Sequence, residues 1–415
     1  MRLIYLFLFM APQALLYLYL RERLPEGARP ARARLVRAVV TGVFVLFNLP
    51  WIFVARRVLF GSVWGIGWIP FTGPWVAWQF LGWVFLALVV VYLAVKAVLW
   101  LVGRLEQWRL GHVDRVVNFE LSKASKDRLT RRQFLARATY AYAATGATLS
   151  TYGIWSAYHL PVLTRRTLVF PDLPVEFDGL TILHLSDLHA GVHLEADRMV
   201  EIVAQANALR PDLIVQTGDM IDISPSYVPA YVRAFRELSA PLGCVTVLGN
   251  HDHYTGVHVV ARGVREAGHV LVLNDCHVVT RGNAALALLG IDDPEGWQFD
   301  DPQHWHIARA LQAAPSGAFR ILLAHRPGAW DGAVPHGIPL TLSGHIHGGQ
   351  FYLPGFGWSA GRLITKYVMG HFQRGASQLY VSRGIGVVGV PIRMFVPPEI
   401  ELFELRRAGG RRVDG

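Results

Sequence analysis

Residues 181–189 read TILHLSDLH, a short apolar run that stops at an aspartate and then a histidine. The cadence returns four times. LIVQTGD ends at Asp219, with Asp222 beyond; CVTVLGNHD ends at Asn250, His251 and Asp252; RILLAH ends at His325; LTLSGHIH ends at His345 and His347. Each run is short, rich in β-branched or aliphatic residues and bounded by turn formers, the signature of a buried strand. Each also stops at a residue type that binds metals. In α/β sheets ligands collect beyond the carboxyl ends of strands, so five such endings predict a single site along a sheet edge. A helical pattern over 194–209 separates the first two runs, and VLVLN and LALLGI continue the rhythm later. The expectation is an α/β domain with several buried strands.

The donor types define the chemistry. Two carboxylates, one amide oxygen and four imidazoles are available, with no thiolate. Such a set suits Mn, Fe, Zn, Co or Ni rather than copper or an iron–sulfur cluster. Asp-x-His and His-x-His place alternate side chains on one side of an extended segment. Seven ligands exceed one tetrahedral ion but suit two divalent ions that share a carboxylate. Any one motif alone could be a turn or a solvated strand face; their joint occurrence, each at the end of a strand-like run, decides for a metal site. Of the 17 histidines, 15 lie after residue 160, where this chemistry is concentrated. The two cysteines, Cys244 and Cys276, have no CxxC spacing and read as two buried thiols rather than a zinc knuckle or a disulfide.

The blocks SDLHAG, TGDMID, LGNHD, LAHRP and SGHIHGGQ resemble the signature blocks of the calcineurin-like metallophosphoesterases. The likeness covers roughly 170–405, and VSRGIGVVGVPIRMFVPPEI is similar to the membrane-associated bacterial phosphodiesterase branch. The resemblance implies a two-sheet β-sandwich flanked by helices. It also implies that Asp187, His189 and His347 hold one metal, that Asn250, His325 and His345 hold the other, and that Asp219 bridges them. His251 would be the acid or phosphate-binding group, oriented by Asp252, with Asn250 beside it on the substrate. Arg393 is a candidate contact for a phosphate or headgroup, with a structural salt bridge as the alternative. Asp222, His184, His193 and His253 lie near the motifs and are expected at the surface or in supporting positions.

Outside the resemblance the chain has another texture. Hydrophobic residues make up 52% and mean hydropathy is +0.31, an excess concentrated in the first 160 residues. Residues 3–20, 38–55 and a stretch within 58–95 are uncharged and long enough to span a bilayer. Three transmembrane helices are therefore expected over 1–103 and a basic cytoplasmic loop over 104–137. A fourth transmembrane or signal-anchor helix is expected over 138–164, the phosphoesterase domain over 165–407 and a disordered tail over 408–415. Within the loop, TRRQFL at 130–135 resembles a twin-arginine export signal, which would make the export machinery a partner. Arginine and lysine are rich in loops 21–37 and 103–137, which places both on the cytoplasmic side and the domain on the outer face of a bacterial cytoplasmic membrane.

Charge divides the same way. Residues 1–160 carry 19 basic and 6 acidic residues, leaving 21 basic and 24 acidic in the rest, so the net +10 belongs to the membrane part. The slightly acidic domain offers no footprint for nucleic acid. The function expected is a membrane-anchored, binuclear phosphodiesterase that cleaves a lipid-linked or envelope phosphoester by metal-hydroxide attack. A hydrolase of UDP-2,3-diacylglucosamine type, acting on lipid A precursors, is the alternative. A metal-sensing domain on a polytopic membrane protein is the alternative from another class.

Overall fold

The computed structural model describes residues 148–293 and 306–409 without interruption, with positions 17, 38, 41, 42, 44, 45, 145 and 146. The chain divides into two compact units, Met1–Thr151 and Tyr152–Gly415. In the first, Tyr17 Oη and Thr41 Oγ1 lie 3.1 Å apart. Apart from those isolated positions, the three spans expected over 1–103, the loop 104–137, the start of the fourth span and the end of the tail lie outside the described residues. Among the described residues no helix is long and apolar enough to cross a membrane.

One boundary moves. Residues 148–157 are helical, but Val162–Thr164, drawn into the fourth span, already belong to the first strand. Pro161 cannot continue a helix, and VLTRRTLVF beyond it favours extended backbone.

The second unit is built on two six-stranded mixed sheets. In spatial order the first contains β1 (Val162–Phe170), β14 (Glu399–Arg407), β2 (Thr181–Leu185), β3 (Leu213–Thr217), β4 (Cys244–Val247) and β5 (Val270–Leu271). Its last four strands are mutually parallel, while β14 runs antiparallel to β2 and parallel to β1. The second contains β12 (Gly370–Arg374), β13 (Ser377–Val381), β9 (Leu340–Ser343), β8 (Phe319–Leu323), β7 (Ala284–Gly290) and β6 (Asp275–Arg281). A separate hairpin pairs β10 (Tyr352–Leu353) with β11 (Trp358–Ser359).

Alternation along the strands makes the layers. Ile182, Leu213, Val215 and Val247 meet Leu288, Ile321, Leu323 and Leu342 in the core between the sheets. Leu183 and Ile214 point the other way, into α1 (Ala196–Ala208), α2 (Val228–Phe235) and α3 (Asn250–Glu266). On the far side, Leu322 and Leu379 pack against α4 (Ile307–Ala313) and α5 (Ala329–Ala333), where buried Trp330 donates from Nε1 to Ser377 Oγ at 2.9 Å. Central strands buried on both faces explain why the runs read as nearly continuous apolar stretches. The result is the helix-flanked, two-sheet sandwich that the resemblance implies, with the ends of β2, β3, β4, β8 and β9 carrying the metal-type residues.

Candidate metal centre

Every residue of the expected ligand set lies within four positions of the end of its strand. Five of the seven leave the strand in the left-handed region: Asp187 (φ 53°), His189 (47°), Asp219 (55°), His345 (73°) and His347 (53°). Each such residue costs about 1–2 kcal/mol relative to ordinary backbone, and such strain gathers where a side chain must be aimed. One close approach demands glycine. A Cβ at Gly344 would lie 2.0 Å from Ser186 Oγ and 2.1 Å from Asp187 Oδ2.

The side chains converge as two triads. Asp187, His189 and His347 present ligand atoms within 4.8 Å of one another, and so do Asp219, His325 and His345. His189 Nε2 and His347 Nε2 are 3.1 Å apart, and His347 Nε2 is 3.4 Å from Asp187 Oδ1. In the other triad His325 Nε2 lies 3.0 Å from His345 Nδ1 and 3.2 Å from Asn250 Oδ1. Asp219 Oδ2 joins the two, 3.4 Å from His189 Nε2 and 3.2 Å from His325 Nε2. All seven expected ligands are brought together, with Asp219 between the halves. Paired imidazole nitrogens aimed at one another fit a shared cation better than a hydrogen bond. Burial, reinforced by neighbouring histidine and arginine charge, holds His345 and His347 well below the usual imidazole range, so both offer lone pairs. An oxygen and imidazole donor set of this kind fits two borderline divalent ions.

His251 opens α3 beside the first triad. Its backbone N–H donates to Asp219 Oδ1 at 2.8 Å. Its Nδ1 lies 2.7 Å from the Asp222 carbonyl and 3.2 Å from Asp222 Oδ1. Burial disfavours its charged form, but the hydrogen bond to Asp222 and the charge of Asp219 outweigh this and hold it up at about 9. Asp222 also stands 3.5 Å from His189 Nδ1. The expected orienter was Asp252, and the structure reassigns that role. Asp252 is fully buried, and its carboxylate accepts from the backbone N–H groups of Asp219, Ile221 and Gly249. It shapes the loops that carry the ligands; Asp222 positions His251.

Arg393 is also reassigned. It is completely buried, donating to the carbonyls of Arg383, Gly384, Gly386 and Val396, and its Nη2 lies 3.1 Å from His347 Nδ1. It backs His347 and, among the described residues, forms no ion pair with a carboxylate, so neither the expected phosphate contact nor the salt bridge describes it. Arg326, which the sequence reading passed over, plays the matching part. Its Nε donates to both oxygens of Asp293 at 2.9 Å, and Nη1 is 3.2 Å from His345 Nε2. Its only signal was its place directly after His325. His193 meets Tyr158 Oη at 2.9 Å, and His253 meets Asp292 at 2.8 Å.

His184 lies deeper, at the end of a hydrogen-bonded line that runs into Asp187. Ser186 Oγ donates to Asp187 Oδ2 at 2.6 Å, Thr217 Oγ1 donates to Ser186 Oγ at 2.7 Å, and His184 Nε2 stands 2.8 Å from Thr217 Oγ1. A metal-binding carboxylate only accepts, so both hydroxyl protons point toward it and His184 Nε2 must donate. His184 Nδ1 then faces Glu401, 3.5 Å away. Burial lowers His184 to about 3 and drives Glu401 well above the carboxylate range.

The family model for calcineurin-like phosphoesterases matches residues 180–349. YkuE of Bacillus subtilis, an uncharacterized metallophosphoesterase, is 31% identical over 298 residues, covering 67% of this chain and 98% of that protein. A zebrafish protein named as a transmembrane protein with a metallophosphoesterase domain is 30% identical over 278 residues, covering 63% of this chain and 61% of its own. Among solved structures, a protein of Thermus thermophilus covers 50% of this chain and 90% of its own, with TM-score 0.35 and 15% identity. With a bacterial relative above 30% identity matched over almost its whole length, the chain belongs to the calcineurin-like phosphoesterase family of metal-dependent phosphoester hydrolases.

Proposed function

We propose that the protein is a membrane-anchored, binuclear phosphodiesterase that cleaves a lipid-linked or envelope phosphodiester. The observation that carries the catalytic part is the convergence of two ligand triads on Asp219 with His251 alongside. Two divalent ions bound there would neutralise phosphate charge and activate a water as nucleophile. The chain supplies the rest. Asn250 and His251 face the substrate, and His251 Nε2 delivers the proton to the departing oxygen while Asp222 holds Nδ1.

A diester suits the surroundings. Arg326 and Arg393, which contact His345 and His347, are buried and engaged there. Neither is placed to clamp the second negative charge of a monoester, the task for which guanidinium groups are suited. Anchoring is supported by the uncharged stretches before residue 148 and by the zebrafish relative's name. The basic loops favour an outward-facing domain.

The test is hydrolysis of bis-p-nitrophenyl phosphate against p-nitrophenyl phosphate by detergent-purified protein, stripped of metal and then supplied with Mn. Manganese-dependent cleavage that prefers the diester is expected. Preference for the monoester would overturn the diesterase reading. Inertness toward both, with two metals bound per chain, would overturn the catalytic one.

A further inference from the structure

Directly after His347 the chain runs GGQFYLPGFGWSAGRLITK over 348–366, with one arginine, one lysine and no acidic residue. It builds the β10–β11 hairpin and the turns around it, and it leaves Phe356, Leu363 and Ile364 at 86%, 80% and 55% exposure. Single exposed apolar residues are ordinary, but three large ones within nine positions are not. The segment that shows them is firmly held. Ser359 is buried, donates from Oγ to the Gly348 carbonyl at 2.6 Å and accepts from Gly361 N–H at 3.0 Å. Tyr352 N–H donates to the Met394 carbonyl at 2.9 Å.

That last bond, with the Phe351–Met394 bridge, ties the hairpin to the segment that carries Phe395. Phe395, next in the chain, is 40% exposed and packs its ring 5.2 Å from Tyr152, which lies 6.1 Å from the 59% exposed Trp155. Tyr152 and Trp155 sit where the chain enters this unit from the uncharged stretch that begins at residue 138. Aromatic residues with a polar handle, a basic rim and exposed aliphatic tips are the composition of proteins seated at a bilayer interface. Arg362 is exposed between the apolar tips, and Lys366 follows at the rim.

We infer that the hairpin face, from Phe356, Leu363 and Ile364 through Phe395 to Trp155, docks on an anionic lipid bilayer. It would seat the metal centre, through His347 at the hairpin's root, next to the headgroup layer. The inference rests on the anchoring in the proposed function but not on its chemistry. A lipid surface is favoured over a second protein copy because the segment 348–366 has no acidic residue, Lys366 alone meeting one at the rim in Asp331, and because the face begins where the chain leaves its uncharged segments.

The test uses the full chain with Cys244→Ala and Cys276→Ser, carrying Phe356→Cys or Leu363→Cys labelled with an environment-sensitive fluorophore. Val200→Cys on α1, 57% exposed, is the control. The proteins are reconstituted in bilayers of phosphatidylcholine and phosphatidylglycerol with or without brominated chains. Labels at 356 and 363 are expected to shift blue and be quenched by the brominated lipid, while the label at 200 is not. Two results overturn the inference: water exposure at 356 and 363 equal to that at 200, or shielding without lipid quenching, which would mean a protein surface covers the face. Resistance to carbonate extraction reports anchoring separately, and p-nitrophenyl ester turnover with near-ultraviolet circular dichroism reports an intact site and fold.

Discussion

Replacing Asp222 with asparagine tests the reassigned orienter of His251. The variant keeps an acceptor near His251 Nδ1 but removes the charge that, with Asp219, holds the imidazole up at about 9. Both side chains are largely buried, with 15% and 21% exposure, so solvent screens the pair little. A hydrogen bond to a charged partner contributes about 1.5–3 kcal/mol. At about 1.4 kcal/mol per factor of ten, removing the charge should slow a step that needs the His251 proton by about 10- to 100-fold. The size of the loss should depend on the leaving group. Alkyl phosphodiesters expel a basic alkoxide and should show the full loss, whereas a p-nitrophenyl ester expels a stable anion and should show little. The alkaline limb of the alkyl-ester pH–rate profile should also move to lower pH, because a less supported imidazolium gives up its proton sooner. Equal losses on both esters, with an unmoved alkaline limb, would refute the assignment and place Asp222 with the metal ligands through His189.

The bridging role of Asp219 predicts that Asp219→Ala loses both metals by elemental analysis, while His251→Ala keeps them and loses turnover by about 10²- to 10⁴-fold. Two metals retained without Asp219 would remove it from the bridge. Gly344→Ala should displace Asp187, lower metal content and destabilise the fold by about 1–3 kcal/mol, a melting shift of several degrees. Normal metal content with an unchanged melting temperature would show that the backbone yields there. His184 gives a pH signature. Its folded value of about 3 lies below the unfolded value near 6.5, so the unfolded chain binds more protons between them and stability is lost on acidification. From pH 6.5 to 5 the loss is about 2 kcal/mol, and His184→Gln should flatten that part of the melting curve against pH. An equally steep decline in the variant would assign the acid sensitivity to other groups.

The site was legible where local pattern carries it. Runs that end in Asp, Asn or His announce strand ends and metal-type side chains at once, and the seven residues so read converge in the structure. What escaped depends on contacts far apart in sequence. Asp222 lies three residues beyond Asp219 and shows its role only once α3 brings His251 against it. The resemblance implied Asp252 as the orienter, but on a helix adjacent side chains diverge, and its carboxylate turns to loop backbone. Arg393, in the late PIRMF run, was a candidate for a phosphate or a salt bridge, whereas here backbone carbonyls surround and satisfy it. One edge of the first sheet was hidden for the same reason: β1 pairs with β14, more than two hundred residues away, and no local period reports that.

The five left-handed ligand positions have a consequence for protein engineering. At about 1–2 kcal/mol each, their combined strain is on the order of 5–10 kcal/mol, comparable to the whole folding free energy of a typical domain. Glycine at His189 or His345 would relieve part of it. A laboratory selection that rewards heat resistance alone is therefore expected to discard these candidate ligands first and deliver a sturdy but inert sandwich. Libraries built on this scaffold should hold positions 187, 189, 219, 345 and 347 fixed and look for stability elsewhere.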